Sequence, residues 1–582
     1  MSRMRWQTAS PPDAAMVKLF PEYPPVVVQL LWNRGIRTQE AADEFLLPDY
    51  GQDLHDPFLF REMETACSRV WAALERGEKI VVYSDYDADG VTGAVVLVST
   101  IRAMAKRLGR DEGSVSSYIP HREKEGYGLR TEAVEALVKG GMRLLITVDC
   151  GIGSAKEIAL ANSLGAEAIV VDHHQVPAEL PKAVILHPLA PGETYPFKFL
   201  AAVGVAFKFA AGLIVFAGRR GAGLEPGFDK WLLDLVAIAT VTDFMPLVGE
   251  NRTLEKYGLI VLNKTRRLGL RKLAEVAGLS LGSLDTHSVG YQIGPRINAA
   301  SRMSHASLAF EALMAETEEQ AKELAGQLNR FNSERQRLTD TITLAARSLI
   351  QERTGRRIHI LAGEDWPSGV VGLIAGKLAG ETGVPVFIFG RDGERLTGSG
   401  RSIAGFDVMA GLEKARAHLV RYGGHKQACG LTIIGEDNFQ SFCRIMEDHA
   451  ETELAGRDLR PSLEIDAEVR TGQISWELVD WLQKLEPFGE GNQKPKFVLS
   501  DLLVTSIEGV GKDGKHVRIG IRGDAPKEMK MIGFNLAAAA ASLGTGGRID
   551  AVVEIGVNEW NGNRSIQLKI VDWRLAGPTP AV

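Results

Sequence analysis

The chain has 582 residues, about four times the commonest domain size, so several hydrophobic cores are expected. Its 45% hydrophobic and 24% charged residues exclude a mainly disordered, collagen-like or coiled-coil protein. A net charge of -6 excludes a surface built throughout to coat nucleic acid, so any polyanion must meet a local patch. Met1 to Phe20 has two early arginines, then Asp13 and two prolines in place of an apolar run, and no secretory leader is expected. Cys67, Cys150, Cys429 and Cys443 form no CxxC pair, which argues against a disulfide framework or zinc knuckle and suits a reducing cytoplasm.

From Lys79 short β-branched runs alternate with helical periodicity: IVVYSD and a helix from about Val91, LLITVD and a helix from Ser154, then AIVVDHH. That alternation predicts a parallel sheet whose strand ends form a ligand crevice. Three runs end in Asp85, Asp149 and Asp172, and a fourth, LLDLVAIATVTD, read as another of the set, ends in Asp243. One such Asp would serve as a helix N-cap; four point to chemistry. Phe199 to Gly218 is apolar but carries Lys208 and several glycines, so it reads as a buried helix rather than a membrane span.

Ala306 to Gln351 has helical periodicity with no proline and no internal break except Gly326, and reads as one or two long connecting helices. A second α/β unit follows from Ile358 to Leu431: strand IHILAG, a helix ending at a glycine cap, strand VPVFIFG, a glycine-rich turn GSGRS and another helix. Between Arg391 and Gly430 seven basic residues meet four acidic ones, a local net of +3. After Pro461, short alternating runs between Gly, Asp and Asn turns predict a small antiparallel barrel of OB-fold type.

The densest chemistry lies in Ser84-Asp85-Tyr86-Asp87-Ala88-Asp89-Gly90. In an extended strand its three carboxylates would share one face and repel unless cations neutralise them. A calcium loop is the competing reading, but Val96 stands where its bidentate Glu belongs. Asp172-His173-His174 adds imidazoles at the same sheet edge, and oxygen-rich ligation with one or two imidazoles suits Mn²⁺ or Mg²⁺ better than structural zinc.

SDYDADGVTG, TVDCG, VDHH and ATVTD, in this order, resemble the four motifs of the DHH phosphoesterase superfamily. GPRINAASRM, GSGRS and YGGHKQACG resemble its DHHA1 substrate domain and the segment leading into it. PPVVVQLLWNRGI and EWNGNRSIQLKIVDW resemble, more narrowly, the RecJ family of single-strand-specific exonucleases. The resemblance implies a multidomain α/β protein: N-terminal segment 1–70, DHH catalytic domain 71–305, connecting helices 306–352, DHHA1 domain 353–455 and OB-fold 456–582.

It also implies hydrolysis of phosphodiesters with two divalent cations, Mn²⁺ or Mg²⁺, digesting single-stranded DNA from the 5′ end in repair and recombination. By motif, Asp87 and Asp149 would hold one ion, with Asp149 bridging to a second held by Asp89, His173 and Asp243, and Asp85 and His174 acting beside them. Ser399, Arg401 and His425, expected in glycine-rich turns, would grip the terminal phosphate with help from Arg302. Arg122 and Tyr127 would line the strand entrance, where a ring can stack a base. Lys512, Lys515, His516 and Arg518 offer the barrel a basic turn. Single-stranded DNA is the expected partner of a cytoplasmic monomer, with a single-strand-binding protein and a RecQ-type helicase as further candidates and no membrane. Three departures stand out: Trp366-Pro367-Ser368-Gly369 where Trp-His-Pro-Gly is common, Leu186-His187-Pro188 where Asn-Pro is common, and Ser301 where Gly is usual. A phosphodiesterase for short RNAs or cyclic dinucleotides is the alternative enzyme, and would have little use for residues 461–582; a non-catalytic scaffold would be expected to lack ligands that this chain retains.

Overall fold

Short β-branched runs form strands and the amphipathic stretches between them form helices, in two units that the chain visits alternately. The computed structural model describes residues 4–353, 355–560 and 562–576; Asn561, inside the EWNGNRSIQ motif, lies outside them. One unit holds Pro12–Asn332 and Asp480–Lys494; the other holds Ser333–Val479 with the described residues before Pro12 and after Lys494. Strand β1 (Arg5–Thr8) belongs to the second of these.

The first unit is built on a five-stranded sheet of β2 (Lys79–Ser84), β3 (Val115–Tyr118), β4 (Met142–Val148), β5 (Glu167–Val171) and β6 (Val184–Leu186). Its order is β3-β2-β4-β5-β6 and every pairing is parallel. The order reverses between β2 and β4, and the crevice outside their carboxyl ends is where such sheets bind ligands. Apolar clusters cover both faces. Helices α1 (Ala88–Arg107) and α2 (Ala202–Arg219) are long and apolar enough to cross a membrane, yet 83% and 72% of their apolar windows are buried in this core. Lys208 of α2 pairs with Glu250 at 2.5 Å and donates to His55 O at 2.8 Å, which allows its charge a place there. The run ending in Asp243 is helix α3 (Leu233–Thr242), not a strand, and is followed by α4 (Gly249–Leu262). Leu233 to Thr240 are all buried, and a helix buried all round shows no stripe to distinguish it from a strand.

After the short helix Ser307–Leu313, the 34-residue helix α5 (Glu318–Gln351) carries the chain from one unit's residues to the other's. The next sheet contains β7 (His359–Glu364), β8 (Val386–Asp392), β9 (Arg395–Arg401), β10 (Arg421–His425) and β11 (Ala428–Ile434), in the order β10-β11-β9-β8-β7. Helix α6 (Ser368–Thr382) ends at left-handed Gly383 and packs on β8 and β9, while α7 (Glu436–Glu453) contributes to the core on the other side. Gly398 to Arg401 of GSGRS and Gly423-Gly424 lie in strands β9 and β10, not in turns. A side chain at Gly398 or Gly400 would collide with the Phe389 and Phe387 rings, so these glycines admit buried aromatics rather than reverse the chain.

β12 (Ser462–Ile465) pairs with β1 in a separate two-stranded sheet, and the last sheet begins with β13 (Ala467–Glu468), which pairs with β14 (Lys496–Val510). β14, β15 (His516–Arg522), β16 (Met529–Gly533), β18 (Asn563–Leu575) and β17 (Arg548–Trp560) pair in that circuit, and β17 returns to β14. This is the expected OB-type ring, with one parallel pairing, β16 with β18, where all were expected antiparallel. Helix α8 (Trp476–Lys484) interrupts it unannounced, because its amphipathic nine residues sit among strand-like runs. The segment after α8 belongs to the first unit. There Arg252, 1% exposed, donates to Phe45 O (2.6 Å), Lys484 O (3.0 Å), Leu485 O (2.9 Å), Glu486 O (2.8 Å) and Pro487 O (3.4 Å). Arg34 adds bonds to Asn492 Oδ1 and Gln493 O.

A candidate metal centre and anion cradle

Asp85, Asp149 and Asp172 are the first residues beyond β2, β4 and β5. Their amides extend the ladder, donating to Val148 O (3.1 Å), Val171 O (3.0 Å) and Leu186 O (3.2 Å), so the three carboxylates stand at one sheet edge. Asp87 and Asp89 do not continue a strand. Asp87 is the N-cap of α1, accepting from the Asp89 and Gly90 amides at 3.0 and 3.2 Å, and Asp89 sits in the first turn. The turn packs so tightly that a side chain at Gly90 would strike the Asp85 backbone. Asp89 in turn accepts from the Ala202 and Val203 amides, both at 2.8 Å, which tethers it to the first turn of α2. Asp243 caps the C-terminus of α3.

These elements converge on His173, whose Nε2 lies 3.3 Å from Asp149 Oδ1, 3.5 Å from Asp243 Oδ2 and 3.6 Å from Asp89 Oδ2. Three overlapping donor sets arise, each with its atoms within 4.8 Å of one another: Asp85, Asp87 and Asp149; Asp89, His173 and Asp243; and Asp149, His173 and His174. Burial and neighbouring carboxylates push Asp85 and Asp149 well up, Asp89 to about 7 and Asp243 to about 9. Burial lowers His173 to about 4, so its imidazole is neutral at pH 7. Among the described residues buried Asp85 Oδ1 has no hydrogen-bond partner. Crowded carboxylates, a neutral imidazole and an orphaned oxygen fit hard divalent cations, whose charge relieves the repulsion and whose coordination uses the spare lone pairs.

A second set of residues aims this one. Asp172, fully buried, accepts from the Ile152, His173 and His174 amides and meets His174 Nδ1 at 2.9 Å. Burial would raise its pKa, but the His174 hydrogen bond and charge outweigh that and hold it at about 2. Burial would lower His174, but its bond to Asp172 dominates and raises it to about 9. The Tyr127 hydroxyl lies 3.1 Å from His174 Nδ1 and donates to Asp149 O at 3.2 Å, which puts this residue beside the centre. His187, fully buried, bonds His174 O through Nε2 at 2.8 Å, and Asn298 Oδ1 accepts from Ala88 at the start of α1. Asp172 and His187 were visible in sequence only as a strand-end Asp and a departure from a motif, and Asn298 gave no signal of its own.

The remaining candidates fall in two places. In the first unit the Arg122 guanidinium lies 4.7 Å over the Tyr86 ring, and its charge favours ionised Asp85; Arg302 also bears on Tyr86. In the second unit, Arg401 Nη1 donates to Ser399 Oγ (2.7 Å) and Gly400 O (2.9 Å), and Ser399 donates to Cys429 O (2.9 Å). Register places Arg401 opposite Ala428, and Ala428 opposite His425, so Arg401 and His425 share a face of the sheet. In the neighbouring row, Gly423 and Gly430, in register with Ser399, leave open space beside them. Burial lowers Arg401, and the hydrogen-bond partners it has among the described residues are a hydroxyl and a backbone carbonyl rather than a carboxylate, which leaves its charge available to an anion. In the barrel, Lys515 and Arg518 pair with Asp513 and Glu508, and only part of that basic turn is uncommitted.

Three domain families match in sequence: the DHH family N-terminal domain at residues 79–240, the DHHA1 domain at 355–452 and the RecJ OB domain at 465–572. The chain is 36% identical to the single-stranded-DNA-specific exonuclease RecJ of Bacillus subtilis (strain 168), over 98% of this chain and 71% of that one. It is 30% identical to that of Haemophilus influenzae, over 94% and 96%. The crystal structure of RecJ in complex with Mn²⁺ from Thermus thermophilus superposes with a TM-score of 0.82 at 29% identity, covering 99% of this chain and 80% of that one. The Mg²⁺ complex from the same organism gives 0.76 at 27%, covering 99% and 79%. With the DHH, DHHA1 and OB domains in order and relatives matched along nearly the whole of this chain, the protein belongs to the RecJ family.

Proposed function

We propose that this chain is a metal-dependent exonuclease that hydrolyses single-stranded DNA to mononucleotides from the 5′ end. The observation that carries the reading is the convergence on His173 Nε2 of Asp149, Asp243 and Asp89 within 3.6 Å, with Asp85 and Asp87 joined through Asp149. Asp85, Asp87, Asp89, Asp149, His173 and Asp243 would hold two divalent cations, Mn²⁺ or Mg²⁺, which when bound activate water and offset charge on the phosphate oxygens. Around them the protein's own groups act by position. Asp172 keeps a proton on His174 Nδ1 and sets the ring's orientation, Tyr127 ties that ring to the Asp149 backbone, and Arg122 and Arg302 add positive charge on the Tyr86 side.

Ser399, Arg401 and His425 serve in this reading as the anion cradle for the strand's terminal phosphate, and the ring of β14 to β18 as a platform for the strand beyond. The domain division 1–70, 71–305, 306–352, 353–455 and 456–582 goes with these roles, as does a monomer working in the cytoplasm in repair and recombination beside a single-strand-binding protein and a RecQ-type helicase. One assay tests the whole: a strand labelled at either end, a duplex and a dinucleotide, each with and without EDTA. Release of the 5′ label first, from the single strand alone and only with metal, is expected. Preference for the dinucleotide or for the 3′ label overturns the reading.

A further inference from the structure

Among the described residues, five other than glycine adopt positive φ: Asp149, Phe244, Asp365, Asp501 and Asn535. Four are Asp or Asn, whose short polar side chains tolerate the left-handed region; Phe244, at φ 54, is the exception. Its cause is local. Helix α3 ends in a Schellman turn in which Phe244 N donates to Val241 O (3.2 Å) and Met245 N to Thr240 O (3.0 Å), and the residue after the Asp243 cap must turn left-handed. Glycine is the usual occupant of that place. Here it is held by the most exposed of the large hydrophobic side chains described, at 77%. Backbone strain and a solvated aromatic ring are both unfavourable in the free protein.

What Phe244 gains from the position is proximity. It is bonded directly to Asp243, whose Oδ2 lies 3.5 Å from His173 Nε2. The turn that carries it is held from several sides: Asn251 Nδ2 donates to Pro246 O and Phe199 O, and Leu247 N donates to Glu490 O at 2.7 Å. A rigid turn that sets an exposed ring next to a candidate metal ligand suits a flat apolar surface arriving with the scissile phosphate. A nucleobase freed from pairing presents such a surface; a base within a duplex has both faces stacked already.

We propose that Phe244 is the stacking platform for the base adjoining the phosphate at the carboxylate–histidine cluster, and that it helps confine the site to unpaired strands. This rests on the exonuclease reading above. Stacking of one base accounts for about a 5- to 150-fold effect.

The test uses the full chain with Mn²⁺ on an intact oligodeoxynucleotide and on strands carrying an abasic residue at the first or second position from the digested end. The wild type is expected to cut one of the abasic strands more slowly by that factor. In Phe244→Ala the intact strand falls toward the abasic rate and the difference disappears, and Phe244→Trp restores it. Phe244→Gly separates a functional from a structural role: relief of the left-handed strain raises the melting temperature, while the preference for a base is lost. An abasic penalty retained in full by Phe244→Ala, or a Phe244→Gly enzyme that keeps the wild-type preference, overturns the platform. A wild type that degrades intact and abasic strands alike overturns it while leaving the exonuclease standing. A wild type inert toward every single strand overturns both.

Discussion

Asp172 Oδ1 and His174 Nδ1 meet at 2.9 Å, and the same oxygen also takes the His173 and His174 amides, so one buried carboxylate sets both the backbone and one ring of the histidine pair. Asp172 is therefore a positioning residue. Asp172→Asn cannot supply the same charge to the ring, and the His174 pKa is expected to fall from about 9 toward the ordinary histidine value. Manganese affinity or turnover should drop about 10- to 100-fold, as for other residues that orient metal ligands. Calorimetric manganese titration and histidine NMR check this; an unchanged His174 titration rejects it.

Asp149 should trade stability for function. It belongs to two of the three donor sets and sits among carboxylates that raise its own pKa. Asp149→Asn keeps a residue tolerant of its φ of 60 while removing one charge from the crowd. In EDTA the variant is expected to melt at or above the wild-type temperature, to gain little from Mn²⁺, and to lose turnover. The wild type should gain about 2.7 kcal/mol at a metal concentration about 100 times its Kd. Retained turnover in Mn²⁺ rejects the assignment.

The metal-free protein should weaken with rising pH between about 7 and 9. Asp243, raised to about 9, and His174, also raised to about 9, both bind more protons folded than unfolded across that interval, so stability falls as those protons leave. Metal reverses the slope, because ligands must be deprotonated to bind it. Denaturant melts at pH 7 and 9, with EDTA and with Mn²⁺, read both signs.

Arg401→Ala should weaken strand capture rather than metal binding. The guanidinium is held by Ser399 Oγ and Gly400 O, and a charge-assisted contact to phosphate of about 1.5–3 kcal/mol corresponds to a KM increase of roughly 10- to 100-fold. Arg401→Lys restores the charge but not a two-pronged grip. Steady-state kinetics on a 5′-phosphorylated oligonucleotide are the check; an unchanged KM counts against the cradle.

Arg252→Ala should destabilise the first unit by about 3–5 kcal/mol, since five carbonyl partners lose their donor in a dry site. Truncation before Pro461 removes four of the same five acceptors and leaves the guanidinium buried without them, whereas ending the chain after Lys494 keeps them. Denaturant midpoints of the two truncations should differ accordingly; equal midpoints reject the role of the clamp.

The sheet of the first unit and its acidic edge were legible because β-branched runs and strand-end carboxylates carry their own signals, as at Asp85, Asp149 and Asp172. Asp243 was found at the right place on the wrong element: α3 is buried on every side and shows no periodicity. The expectation that Asp85, Asp87 and Asp89 share a strand face failed because Asp87 starts a helix, and the helix rewinds Asp89 toward α2 instead. GSGRS looked like a turn because glycine in sequence does not reveal whether it bends a chain or admits a neighbour's ring, as Gly398 and Gly400 do. Arg252 was unreadable, since its partners are backbone carbonyls more than two hundred residues away.

Translation delivers Arg252 long before most of the carbonyls that satisfy it, the first of the later group, on Lys484, following 232 residues afterwards. A nascent polypeptide stalled before α8 carries every acidic ligand and still lacks the segment that completes the same folding unit. The first unit is therefore expected to reach its full stability only once the chain through Lys494 has been made.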